Sequence, residues 1–156
     1  MKRNITVLIL LLVLALTGFA QEEQVRRKNG NVNKSGLAIG GYDPVAYLVQ
    51  KKALEGKKEF AYSYKGITYY FSSDANRNLF KNNPAKYEPA YGGWCAYAMG
   101  NTGEKVEVDP ETFKVIDGKT YLFYNFYFTN TLDSWNKNEA KLKEKADKNW
   151  QKFTAK

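Results

Sequence analysis

Cys95 is the only cysteine in a chain of 156 residues that contains no histidine, and this narrows the ways in which the chain can hold a fold. One thiol closes no internal disulfide. Without imidazole, and with one thiolate donor, the side chains that assemble a compact zinc or copper(I) centre are largely missing. Nucleophilic catalysis through a His base is excluded. The carboxylates show no spacing that singles out an acid–base pair, and neither GxGxxG nor GxxxxGK[ST] occurs. The expectation is a non-enzymatic domain that stands by packing. Aromatic side chains supply the means, with 12 Tyr, 9 Phe and 3 Trp, because each buries a large area.

The chain opens MKRNITVLILLLVLALTGFAQ. Lys2 and Arg3 precede an apolar run from Ile5 to Leu16, and Gly18 and Ala20 are the small residues of a signal-peptidase site. A spanning helix needs roughly 20 apolar residues, and this run is shorter. Residues 1–20 are therefore expected to be a signal peptide and the protein to be exported, periplasmic or secreted, with no integral membrane segment after cleavage. Residues 21–36 are polar and without apolar period, as in a flexible lead. Residues 37–156 are expected to form one domain. The formal charge is +8, or +6 without Lys2 and Arg3. Acidic residues are interleaved among the basic ones, which suits solvated faces and gives no nucleic-acid footprint.

Local patterns predict an α+β fold in which small antiparallel hairpins pack with helices. Asp43 before Pro44 is a helix start, with a capping carboxylate followed by a fixed φ, and the helix should run through Leu48. Glu59 to Tyr64 and Ile67 to Phe71 flank Lys65-Gly66 as a hairpin. A helix capped by Ser72 or Ser73 should follow, with Ala75, Leu79 and Phe80 inward and Pro84 as its stop. A second hairpin joins Thr112 to Ile116 and Lys119 to Tyr124 through Asp117-Gly118, the type I′ signal. A long helix from about Thr129 to Phe153 carries an apolar stripe of Leu132, Trp135, Leu142, Ala146, Trp150 and Phe153.

GYDPVAY, the hairpin ending in YYFSS, the helix SDANRNLFKNNPAKY, and the later YGGWCAYA, DPETFKVIDGKTYLFYN and DKNW together resemble exported proteins of the YHS-domain family. The likeness runs from about Ile39 to Trp150. It implies a small YHS-like α+β unit related to treble-clef metal modules and, in some members, the binding or transfer of copper or other soft metals. Metal-binding members carry cysteines where this chain has Ala46, Ser72 and Asn76. Hydroxyl and amide groups are poor replacements for thiolate, so a structural zinc is not expected.

Cys95 lies outside those positions, and it admits two readings. If a helix starts at Trp94, the thiol sits near free amides that favour thiolate. Met99 then lies one turn on, and Cys95 with Met99 could hold copper(I) between two soft donors. Free cysteine is also among the most buried residue types and packs as a small apolar group, and its neighbours Trp94 and Ala96 suit a core. A small-ligand pocket could be lined by Tyr42, Asp43 and Tyr47 with Tyr91 and Trp94, or Asp43 could simply cap its helix. The functions left open are a module binding a metal ion or small ligand near Cys95, and a structural module that contacts a protein partner without a bound metal. An enzyme using Cys95 as nucleophile or redox group ranks behind both.

Overall fold

A computed structural model describes residues 20–154, and the fold is α+β, as expected. Residues 20–29 form helix α1. A 3₁₀ turn at Ile39–Gly41 leads into α2 (Pro44–Val49). The strands β1 (Lys57–Tyr64) and β2 (Ile67–Phe71) pair antiparallel, with Tyr64 opposite Ile67 across the Lys65-Gly66 turn. Helices α3 (Asp74–Asn82) and α4 (Pro84–Tyr87) follow, then a 3₁₀ turn at Ala90–Gly93 and α5 (Ala96–Asn101). The hairpin of β3 (Asp109–Ile116) and β4 (Lys119–Phe123) closes on Asp117-Gly118. Both turn residues have positive φ, 51° and 72°, as a type I′ turn demands. A third, very short ribbon pairs β5 (Asn125–Phe126) with β6 (Thr129–Asn130), and α6 (Thr131–Asn136) and α7 (Glu139–Thr154) complete the described chain.

Apolar side chains gather in two clusters. Phe80 of α3 sits inside the first, with the rings of Tyr69 and Phe71 from β2 at 4.7 and 5.2 Å and those of Tyr62 and Tyr64 from β1 edge-on. Trp135 of α6 anchors the second, against Phe123 at 5.5 Å and Tyr121 at 5.9 Å. The helices α5 and α7 touch through Gly100, where a Cβ would stand 2.5 Å from the Leu142 carbonyl oxygen. Only a residue without a side chain permits that approach.

Four local expectations are corrected. The polar stretch 21–36 is helical over its first half and tied to the body. Arg26 pairs with Glu88, the Trp94 indole N–H donates to Asn29 O (2.6 Å), and Asn29 Nδ2 donates to Phe153 O (2.6 Å). Directional polar contacts hold it, and hydrophobic periodicity does not register such contacts. In α3, Ala75 and Leu79 face solvent while Asn76 is buried beside Phe80, because Asn76 has a buried carboxylate to bond. The long C-terminal helix is two helices. Thr129 and Asn130 are strand, and the chain breaks after Asn136 so that Trp135 turns into the core with its indole N–H on Glu139 (3.0 Å). Its stripe residues Trp135, Leu142 and Ala146 are buried as the spacing predicts. Finally, β4 stops at Phe123, since the amide of Tyr124 is taken by the sulfur of Cys95.

Candidate functional site

Asp43 is fully buried, yet every hydrogen-bonding direction of its carboxylate is occupied by a donor. Oδ1 accepts the amides of Val45 (2.8 Å) and Ala46 (3.3 Å), which caps α2. Oδ2 accepts the amide of Ser72 (2.8 Å), its hydroxyl (2.7 Å) and Asn76 Nδ2 (2.6 Å). Gln50 then donates to Asn76 Oδ1 (3.2 Å). A buried carboxylate is tolerable when so satisfied. Ala46, Ser72 and Asn76, from three separate stretches of the chain, therefore converge here on one carboxylate. Ser73, not Ser72, caps α3.

The thiol of Cys95 is likewise buried and fully engaged. Helix α5 begins one residue later than Cys95, so Cys95 is its N-cap rather than a residue inside a helix opening at Trp94. The Tyr124 amide donates to Sγ (3.4 Å), and Sγ lies 3.4 Å from Thr131 Oγ1. The Thr131 hydroxyl has one proton, and it is directed to Tyr124 O (2.9 Å). The thiol must then be the donor to Thr131 Oγ1. A closed ring of hydrogen bonds results, from the Tyr124 amide through sulfur and hydroxyl back to the Tyr124 carbonyl. It uses the sulfur as a protonated thiol.

That ring is the neck of the β5–β6 hairpin, which leaves the body between Tyr124 and Thr131. At its tip Tyr127 and Phe128 form a two-residue loop with φ of 49° and 64°, a type I′ turn built from the residue types least suited to it. Tyr127 is 89% exposed and Phe128 entirely so; Phe126 behind them is 42% exposed and rests edge-on against Tyr124 at 5.1 Å. Neither tip ring stacks on another aromatic ring among the described residues. Consecutive bare aromatics on a strained turn are an unusual feature of a surface. The aromatic run FYF at residues 126–128 is the signal the sequence offers, but a helical period extended back to Thr129 hides the turn.

The residues singled out from sequence fall into separate places. Tyr42 and Tyr47 reach the start of β3, where Tyr42 donates to Glu111 (2.9 Å) and Tyr47 to Pro110 O (2.8 Å), while the Asp43 carboxylate between them turns to Ser72 and Asn76. Burial pushes the Tyr47 phenol well above the ordinary tyrosine value, so it is a neutral donor. Tyr91 belongs to the other cluster and donates to Asp147 (2.9 Å), again with its phenol pushed upward by burial. Trp94 contacts α1 through Asn29. Met99 does lie one turn on from Cys95, its amide donating to Cys95 O (3.0 Å), with its side chain in the cluster around Trp135 and that of Cys95 in the cluster around Phe80. No group of three or more Cys, Asp or Glu side chains among the described residues is arranged to hold a metal ion. No helix among them is long and apolar enough to cross a membrane.

The family model of the YHS domain matches residues 45–91, from the first turn of α2 to the 3₁₀ turn before Cys95. No curated protein and no solved structure matches the chain. The matched segment holds Ala46, Ser72 and Asn76 and ends before both Cys95 and the aromatic hairpin.

Proposed function

We propose that this YHS-domain-containing protein is an exported interaction module that presents the hairpin tip Phe126–Phe128 to an apolar pocket on a protein partner and performs no catalysis of its own. The exposure of Tyr127 and Phe128 on a braced neck carries this reading. Aromatic anchors that fill a partner's pocket dominate interface energetics, and a tight turn presents them with little freedom left to lose on binding. Export rests on residues 1–20 as a signal peptide. Cleavage after Ala20 would leave residues 21–29 of α1, with their contacts to Glu88 and Phe153, on the mature chain.

The competing reading is a soft metal, copper above all, held by Cys95 and Met99. YHS domains are associated with metal binding, which favours it. It requires the Cys95 sulfur to give up its proton, and with it the hydrogen bond to Thr131, and the Met99 thioether one turn on to leave the cluster around Trp135. One preparation tests both. The protein, made in its own cells with a photoreactive phenylalanine in place of Phe128, should crosslink to one discrete partner. That partner, purified, should bind the wild type saturably and the Tyr127→Asn/Phe128→Gly variant at least tenfold more weakly. Equal binding to both proteins refutes the interaction reading, and stoichiometric copper that disappears in Cys95→Ala establishes the metal reading in its place.

A further inference from the structure

A groove of about 960 Å³ runs between α1 and the body, and no residue of the aromatic hairpin lines it. Its apolar wall includes Val25, Val32, Ile67 and Trp150, and its polar groups include Arg26, Glu88, Lys119 and Asp147. These charges do not cancel. Arg26 pairs with Glu88, which also accepts from the Tyr69 hydroxyl (2.6 Å). Asp147 is met by Tyr91 and Lys143, and Glu22 by Lys65. Lys119 is left over. Its ammonium donates to Ala85 O (2.8 Å) and forms no ion pair among the described residues. Burial depresses its pKa below the ordinary lysine value, with Glu88 acting in the opposite sense. A half-buried cation held by one neutral carbonyl beside an apolar wall is complementary to a ligand with a single negative head and an apolar body.

We propose that this groove binds an amphipathic monocarboxylate of the fatty-acid class, with its head on Lys119 and its chain along Val25 and Trp150. The carboxylate supplies the charge-assisted hydrogen bonds that Lys119 lacks, and the chain covers side chains left partly open between α1 and α7. The proposal is independent of the hairpin, so either can fail without the other.

Calorimetric titration of the protein purified from its own cells tests it with three probes. Decanoate has head and chain, 1-decanol has the chain alone, and inorganic phosphate has charge alone. Decanoate should bind saturably at one per chain and at least tenfold more tightly than either of the others. Lys119→Met should weaken decanoate by about tenfold or more, the equivalent of one charge-assisted hydrogen bond, and leave decanol unchanged. Val25→Glu, a substitution at a partly exposed position, should weaken decanoate and decanol together while thermal unfolding stays close to wild type. Absence of saturable decanoate binding overturns the proposal. So does decanol or phosphate matching decanoate in the wild type, or a Lys119→Met protein that binds decanoate as the wild type does.

Discussion

Replacing Tyr127 by Asn and Phe128 by Gly installs the pair that a type I′ turn prefers, and it should make the fold more stable while removing the proposed contact surface. A non-glycine residue in the left-handed region costs about 1–2 kcal/mol, and both tip residues are there, at φ 49° and 64°. Glycine at 128 relieves that strain but adds about 0.5–1 kcal/mol of backbone entropy to be lost on folding. Asparagine at 127 relieves part of its own. No stacking is sacrificed, because neither tip ring meets another ring among the described residues. The net gain is about 1 kcal/mol, equivalent to roughly 2–4 °C in Tm for a protein of this size. Urea unfolding followed by circular dichroism, with the slope m unchanged, measures it. A variant less stable than wild type by more than about 0.5 kcal/mol would mean that the rings support the fold in solution, and the argument that they are kept for a partner would collapse.

Substitutions at three other residues probe single polar contacts. Asp43→Asn should destabilise by about 2–4 kcal/mol, nearly as much as Asp43→Ala, because any amide donor placed there faces a donor already present; an Asn variant within about 1 kcal/mol of wild type in urea would contradict the hydrogen-bond assignment. Cys95→Ala leaves the Tyr124 amide without its acceptor and should cost about 1–3 kcal/mol. In the wild type a thiol reagent should react only at the rate of unfolding, and rapid labelling of native protein at neutral pH would show that the neck opens freely. The hydrogen bond from Lys114, with help from the Trp135 indole, holds the Glu139 carboxyl below its ordinary value of 4.5 despite partial burial. A depressed carboxylate contributes stability that is present above its unfolded value and lost as pH falls through the folded one. Glu139→Gln should therefore lower stability by up to about 1 kcal/mol at pH 7, and the gap to wild type should shrink in acid below the ordinary glutamate value; a gap independent of pH would place the effect elsewhere.

Both larger hairpins and the capped start of α2 were legible in the sequence because each is encoded within a few residues. Asp-Gly demands positive φ, and Asp before Pro offers a cap and a fixed φ together. The break between α6 and α7 was not legible. Trp135 and Leu142 keep helical spacing across it, and only the demand of Trp135 for a place between Phe123 and Tyr121 separates the two helices. Helix α1 escaped notice for the opposite reason, since its anchors are single polar contacts to residues distant in sequence. At the site, the resemblance set Ala46, Ser72 and Asn76 apart as a group that could be read from the sequence. Their gathering around Asp43 could not, because nothing in a one-dimensional string says that a capping residue of one helix has a second oxygen left for two others. The neighbours of the lone thiol suit either of its two roles, and the proton count at Thr131 favours the structural one.

Asp43 ties the start of α2 to the end of β2 and the first turn of α3. A joint made by a carboxylate is always supplied, because it is synthesised with the chain and needs no delivery, no chaperoned loading and no defence against scavengers. It is also unable to be emptied. The three elements it joins are held by the chain's own atoms, as a fixed mount for the surfaces displayed on them.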